Sequence, residues 1–393
     1  MTNRKLRMGM IGGGGNAFIG PIHRNAALME GEIELVCGCF SRTYDTSLAT
    51  GRKWHLDDSR IYADWQEMLR NEASLPDGKR MDFVAIVTPN HMHYPQAAMA
   101  LELGFDVVVD KPMTRSLDEA LRLQTLVQRT GRTLALTHVY AAYPALREMR
   151  SRIARGDLGT LRRVYVEYTQ GWLSKRIELC GGNNAGWRTD PRTSGKGGCL
   201  GDIGVHAWHL SEYATGLKVT EVCAELTAFV EGRPLDDDCA ALLHFEKGVK
   251  GVLHATQIAV GEENDIRLRV YGEHGGLVWS QLEPNTLLLR HGNRPTEVLR
   301  IGNGYPWLAD ETRCRTRLPG GHPEGFIESF ANIYRNFALT VRARMNGVEP
   351  DPLWLDFPTV DDGVRGMQFI ETMAASAASD GKWTPWVDAP LKD

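Results

Sequence analysis

The stretch Leu6-Arg7-Met8-Gly9-Met10-Ile11, followed at once by Gly12-Gly13-Gly14-Gly15, sets the reading of the N-terminal part of the chain. Its first six residues read as a short buried strand. The glycines then let the backbone turn tightly and approach a pyrophosphate. A helix is expected over residues 21–29, and its free N–H groups and positive dipole end would face an anion. The turn thus follows a first strand, precedes a helix and starts a β–α–β unit, the context in which Gly-x-Gly points to a dinucleotide. Gly12 and Gly14 fit that fingerprint. Gly15, Asn16 and Ala17 are inserted, or Ala17 takes the place of the third glycine, with Gly20 just before the expected helix. An ordinary glycine turn is the competing reading.

Outward from this turn, strand and helix signals alternate. Residues 33–40 form a second apolar run, and 83–87 and 107–109 are β-branched runs of the kind parallel sheets bury on both faces. Between the latter two, residues 95–103 read as a helix that stops at Gly104, a C-cap. Ser116 and Glu119 form a capping-box pattern for a helix ending near Gly131, and 134–137 return as a strand. Such alternation predicts a doubly wound parallel sheet. Cofactor choice is written after the second strand, where an acidic residue binds the ribose of NAD and an arginine accepts the 2′-phosphate of NADP. Ser41 and Arg42 stand there, with Asp45 further on, so NAD(P) is expected with a lean to NADP. Stacking of Arg42 on the adenine of either cofactor is the alternative.

After Tyr143 the texture changes, which predicts domains at 1–143 and 144–393. Residues 144–154 read as a connecting helix. Longer strands follow at 163–169, 221–230, 240–245, 251–258 and 266–271. Arg267-Leu268-Arg269-Val270 alternates polar with apolar, as an antiparallel sheet with one wet face does. Helices over 201–215, 324–345 and 363–378 are expected to cover the other face, and 303–321 to be a surface loop.

The 393 residues can build two such domains, and 42% hydrophobic with 24% charged residues is a globular balance. A net charge of -4 argues against a nucleic-acid partner. No apolar run reaches bilayer length, so no membrane partner is expected. The short basic start runs into glycines instead of a secretory segment, which predicts a cytoplasmic protein. The 7 cysteines are odd in number and contain no Cys-x-x-Cys pair, which disfavours a disulfide framework or a cysteine zinc site.

Three further motifs follow in order. Thr88-Pro89-Asn90-His91-Met92-His93 trails one expected strand and Asp110-Lys111-Pro112 the next. Gly197-Gly198-Cys199-Leu200-Gly201-Asp202-Ile203-Gly204-Val205-His206 opens a helix of the second domain. In this order and spacing the chain resembles the Gfo/Idh/MocA family (glucose–fructose oxidoreductase, inositol dehydrogenase and relatives) over nearly its whole length. The resemblance implies a Rossmann domain and an α+β C-terminal domain with a large open, mostly antiparallel sheet. It implies NAD(P)-dependent oxidation or reduction of a carbinol in a sugar or cyclitol. It carries the family's active-site lysine onto Lys111, in a Glu-Lys-Pro matched by Asp110-Lys111-Pro112. It carries the helix aspartate and histidine onto Asp202 and His206, and a cofactor-side motif onto Thr88, Pro89, Asn90 and His93. Asp110 in place of Glu, Tyr140 and its neighbours after the sixth strand, and His209 where many relatives have Asp, all depart from the pattern.

The residue types suit that chemistry. Oxidising a secondary alcohol needs a base for the hydroxyl proton, and an imidazole titrates near neutral pH. Asp202 and His206 are four apart and share a helical face, which His209 continues. A lysine at a strand's C-terminal end can stabilise the developing alkoxide and lower the histidine pKa. Without the resemblance, His206 would more often be structural, and His209 serves packing or substrate equally. Trp172, Trp187 and Arg188 offer flat faces and directed donors for a sugar ring, or else anchor a loop. Tyr140 and His322 are further candidates for the same pocket. A metal held by Asp202, His206 and His209 is rejected, because no further ligand is evident and hydride transfer needs no metal.

An oxidoreductase acting on a sugar, glycoside or cyclitol is therefore the expected function. One alternative is a glycosidase of the same family that oxidises its sugar transiently and restores NAD. The other is a non-catalytic nucleotide or sugar sensor, against which Lys111, Asp202 and His206 speak. The long strands of the second domain need cover on two faces. Leu243, Val252, Leu268 and Val270 are candidates for an exposed apolar face, and a homodimer or homotetramer is expected.

Overall fold

The computed structural model describes residues 4–180 and 183–388. Two compact units form, Met1–Thr137 with Phe326–Val364, and His138–Gly325 with Arg365–Asp393.

The first unit holds a five-stranded parallel sheet of β1 (Leu6–Gly12), β2 (Ile33–Cys39), β3 (Phe83–Val87), β4 (Asp106–Val109) and β5 (Leu134–Leu136), in the order β2-β1-β3-β4-β5. Every residue of β3, Phe-Val-Ala-Ile-Val, is buried, as befits a strand with helices on both faces. The order reverses between β1 and β3, and ligands of such sheets bind outside the strand ends at that point. The helix Leu117–Thr130 starts with the Ser116 hydroxyl accepting the Glu119 N–H at 3.4 Å. Glu119 reaches back to the Arg115 N–H at 3.1 Å, so the capping exchange is displaced by one residue. Gly131 closes this helix in the left-handed conformation at φ 61°, and Gly104 has φ 81° after the helix His93–Glu102.

The long helix Phe326–Met345 departs from expectation. It belongs to the first unit, where Phe330 meets the His23 ring at 4.9 Å and Phe337 meets Phe83 at 5.0 Å. Its apolar face was legible as a pattern, but periodicity does not say which sheet that face will cover.

The second unit is built on a nine-stranded sheet. Its strands are β6 (Leu161–Thr169), β7 (Val219–Thr227), β8 (Asp238–Phe245), β9 (Lys250–Thr256), β10 (Asp265–Gly272), β11 (Gly275–Ser280), β12 (Thr286–His291), β13 (Glu297–Arg300) and β14 (Thr384–Pro385). The order is β13-β12-β11-β10-β6-β9-β8-β7-β14, with β6 and β9 parallel and all other neighbours antiparallel. Ile266, Leu268 and Val270 point into the core while Arg267 and Arg269 between them do not. Leu243 is buried as well, so three of the four residues offered for an exposed apolar face point inward. The other face carries Val252 and Leu242, but also Arg163, Tyr165, Arg269 and Tyr271. The Arg269 guanidinium lies 5.1 Å from the Tyr165 ring centre, so this face is mixed in character. Among the described residues no helix is long and apolar enough to cross a membrane.

Candidate cofactor and substrate sites

In the first unit the glycine turn lies at the end of β1, where the strand order reverses. Gly12 and Gly13 have φ of 86° and 76°, which L side chains rarely adopt. A Cβ on Gly12 would sit 2.8 Å from the Thr88 methyl, which puts the turn against the loop after β3. Gly14 donates its N–H to the Phe40 carbonyl at 2.9 Å, and Gly15 donates to the Thr50 hydroxyl at 3.1 Å. The helix begins at Ile19, two residues earlier than expected, so Gly20 falls in its first turn. A Cβ there would lie 1.9 Å from the Gly13 carbonyl oxygen. Gly20 is therefore the glycine that permits close helix–strand packing, a place the sequence reading offered to Ala17. The loop between is longer than the fingerprint allows, and only the packing distance identifies the third glycine.

Asn16 is exposed and Ala17 half-buried on this loop, while Ser41 is half-buried and Arg42 exposed beyond β2. Pro89 precedes a buried Asn90 at the start of a short turn, and Thr88 donates its hydroxyl to Gln96 at 2.8 Å. Burial pushes His91 below the usual histidine value, and Arg115, His93 and Arg42 add to that effect against the pull of Glu119. The His93 ring nitrogens lie 2.7 Å from the Thr88 carbonyl and 2.9 Å from the Pro112 carbonyl, and the neutral ring that burial favours donates its one N–H to one of them. The ring clamps the loops after β3 and β4 together.

Asp110 acts at the same strand end. Its Oδ1 accepts the Lys111 N–H at 2.8 Å and the Thr137 hydroxyl at 2.7 Å, which sets where Lys111 leaves β4. Its Oδ2 faces His23 Nε2 at 3.9 Å, and His23 Nδ1 meets the Tyr334 hydroxyl at 2.8 Å. Burial lowers the His23 pKa to about 4 against the pull of Asp110. Neither His23 nor Tyr334 carries a sequence signal, since they come from helices far apart in the chain.

In the second unit, Asp202 sits in a π-helical turn, Leu200–Gly204, that runs into the helix Val205–Thr215. The spacing suggested one regular helix; π turns of this kind recur at functional sites. The Asp202 carboxylate accepts the Gln257 amide at 2.8 Å and Arg188 Nε at 3.4 Å. His206 is buried with its ring centre 4.9 Å from Tyr140, 5.5 Å from His138 and 6.3 Å from Tyr168. The Tyr140 and Tyr168 hydroxyls bond to each other. Asn264 accepts from Tyr168 at 2.8 Å and donates to Tyr140 at 3.2 Å. Burial, first among the causes, pushes both phenols up, so they act here as neutral donors and acceptors.

The structure thus brings Tyr140, Asp202 and His206 together. Arg188 extends the group, lying 4.3 Å from the Trp187 ring centre and 6.0 Å from that of Trp172. Trp172 is 36% exposed and donates its indole N–H to Gln170 at 2.8 Å. His209 stacks on His138 at 4.2 Å, on the side of that ring's packing. His322 occupies an exposed turn, where its ring nitrogen meets the Pro319 carbonyl at 3.2 Å. Sequence reading passed over His138, Tyr168, Gln170, Gln257 and Asn264. Only Tyr168 carried a signal, because it continues the inward alternation of Val164 and Val166. Among the described residues no group of three or more His, Cys, Asp or Glu side chains is arranged to hold a metal ion.

A glycine cradle at the switch point of a parallel sheet is where such folds hold a dinucleotide, and the family comparison gives the class as an NAD-binding oxidoreductase. Residues 6–138 match the oxidoreductase family with an NAD-binding Rossmann fold, and residues 146–278 match the GFO/IDH/MocA C-terminal domain. The chain belongs to the Gfo/Idh/MocA family. It is 30% identical to the uncharacterized oxidoreductase YfiI of Bacillus subtilis (strain 168) over 390 residues, covering 98% of this chain and 97% of that one. An inositol dehydrogenase homolog from Azotobacter vinelandii complexed with NAD+ superposes with a TM-score of 0.92 at 32% identity, covering 98% of each chain. A structure of the inositol dehydrogenase homolog complexed with NADH and myo-inositol, from the same organism, gives 0.89 at 31% identity, again over 98% of each chain.

Proposed function

We propose that this protein transfers hydride between NAD(P) and one secondary carbinol of a sugar, glycoside or cyclitol. The observation that carries the reading is the His206 cluster. A buried imidazole is walled by two phenols and a second histidine, beside a carboxylate held by an amide and a guanidinium. Such directional hydrogen-bonding groups suit a polyol better than an apolar ligand. The likeness to a homolog complexed with NADH and myo-inositol supports the same class.

The glycine positions fit a dinucleotide, because a Cβ at Gly12, Gly14 or Gly20 would fill the space the backbone needs. Gly12, Gly14, Asn16, Ala17, Ser41, Arg42, Thr88, Pro89, Asn90, His93, Asp110 and Lys111 are assigned to it. When bound, the nicotinamide supplies the hydride acceptor or donor. His206 takes the hydroxyl proton, Asp202 orients the substrate through a neighbouring hydroxyl, and Lys111 stabilises the alkoxide electrostatically. Tyr140, Trp172, Trp187 and Arg188 are assigned to substrate contact, with Tyr168, Gln170 and Asn264 added to them. His209, stacked on His138 next to the His206 ring, and His322 remain candidates for substrate contact. Arg42 favours NADP, whereas the two Azotobacter vinelandii structures named above are complexed with NAD+ or NADH.

A panel of sugars, glycosides and cyclitols, followed by nucleotide absorbance and product analysis together, tests this reading. Net reduction of NAD or NADP by a polyol supports it. Release of an aglycone without net reduction would make the protein a redox-neutral glycosidase, and silence across the panel with both nucleotides would overturn the enzymatic reading. Self-association is proposed from the size of the open sheet; a mass of 43.8 kDa by light scattering would refute it.

A further inference from the structure

Just before β8 the chain reads Leu235-Asp236-Asp237-Asp238, and the first two aspartates serve different clients. Asp236 grips three consecutive N–H groups of the motif that carries Asp202 and His206. Its Oδ1 accepts the Gly198 N–H at 2.7 Å, its carbonyl the Cys199 N–H at 2.9 Å, and its Oδ2 the Leu200 N–H at 2.7 Å. These are early N–H groups of a helical segment, which have no partner within the turn and which a carboxylate satisfies best. The fit is close: a Cβ on Gly198 would lie 2.2 Å from the Asp236 carbonyl oxygen.

Asp237 is buried and turns elsewhere. Its carboxylate accepts the Phe229 and Val230 N–H groups at 2.8 and 3.0 Å and Arg233 Nη1 at 3.2 Å. Arg233, also buried, spends its remaining donors on the segment that follows Trp172. It donates to the Leu173 carbonyl at 2.6 Å, the Lys175 carbonyl at 2.8 Å and both Glu178 carboxylate oxygens at 3.1 Å. All five N–H bonds of this guanidinium are directed, and a lysine cannot reproduce that fork.

We propose that Asp236 and Asp237 form a hub that positions the two halves of the substrate site separately: Asp236 holds the Asp202–His206 motif, and Asp237 holds the Trp172 loop through Arg233. The proposal rests on the reading of those residues as the substrate site. Both aspartates and Arg233 are positioning residues, since their bonds above go to main-chain groups, to each other and to Glu178. The reacting groups hang from the motif, so loosening it lowers turnover. The loop offers a binding face, so loosening it weakens substrate capture.

Kinetics and hydrogen exchange on the full chain, with NAD and the panel compound oxidised fastest, test the hub. Asp236→Asn is expected to lower kcat by about tenfold or more with KM little changed, because a small displacement of reacting groups is costly. Exchange should rise at the 198–200 amides and stay unchanged at 173–178. Arg233→Lys is expected to raise KM by about tenfold with kcat little changed, and to raise exchange at 173–178 alone. Asp236→Glu and Glu178→Gln replace these variants if either fails to fold. Unchanged variants, or variants that move kcat and KM together and exchange in both segments alike, would overturn the hub. If His206→Ala kept full turnover, or no panel compound reacted, the site reading would fail instead, and the exchange pattern would still judge the hub.

Discussion

In the first unit the candidate site is made of main chain. Gly12, Gly13, Gly14 and Gly20 contribute by what they lack, and Asp110 and His93 spend their polar atoms fixing backbone at the strand ends. In the second unit it is made of side chains. Tyr140, Tyr168 and Asn264 bond to one another, Asp202 binds Arg188 and Gln257, and the His206 ring packs on the phenols. A cradle of backbone serves a constant ligand and tolerates no added atom. A cluster of side chains can be rewritten one contact at a time, as substrate specificity requires.

The largest expected effect lies with the two side chains proposed for the chemistry, His206 of the second unit and Lys111 of the first. His206→Ala, and likewise Lys111→Ala, should cut turnover by roughly 10²–10⁴-fold while circular dichroism and the melting temperature stay near those of the parent. Near-normal turnover in both would break the contrast, because no single side chain would then matter to the chemistry.

On the main-chain half the comparable test adds one methyl group. Gly20→Ala places a carbon where only 1.9 Å separates it from the Gly13 carbonyl oxygen. The helix must move, at a cost of about 1–3 kcal/mol, and NADH affinity should fall with it. Fluorescence titration with NADH and a urea melt check both; unchanged affinity would show that the cradle is looser than its geometry.

Next in size is a pH effect at His23. Its native pKa of about 4 lies below the ordinary 6.5, so between those values the unfolded chain binds more protons than the native one. Stability is therefore full above pH 6.5 and is lost as the pH falls toward 4, by up to about 3 kcal/mol. Asp110, His93 and the Tyr334 hydroxyl are the groups that face this ring, and Asp110 alone opposes the loss. Urea melts of the parent and His23→Gln at pH 7 and 4.5 should show a shallower decline in the variant; parallel declines would refute the assignment.

The smallest expected effect separates the two nucleotides. Arg42→Ala should weaken NADP by about tenfold and NAD hardly at all, since only NADP offers the extra phosphate. Equal losses in calorimetric titrations would mean that Arg42 stacks on adenine.

Much of the cofactor half was legible because its signals are contiguous. A strand, a glycine turn and the strand-end motifs at Thr88 and Asp110 stand in order along the chain. The exception is Gly20, displaced by the long loop 14–18 and recognisable only from its distance to Gly13. On the substrate half Asp202 and His206 were legible as one motif. Tyr168, Gln257, Asn264 and the hub at Asp236 were not, because each owes its role to a partner tens of residues away.

By itself the sequence determined the periodicities. Continuous apolar runs such as Phe83–Val87 specify strands buried on both faces, and the alternation at Ile266, Leu268 and Val270 specifies a sheet with one inner face. Those periods are properties of the local backbone, so they can be read without knowing any partner. Only the tertiary structure decided that the helix Phe326–Met345 covers the first sheet, that Gly20 closes the cradle, and that two phenols tied together by an asparagine pack on His206. An apolar face or a polar atom states that it must be covered or paired. Which distant segment does so follows from chain closure and packing of the whole unit.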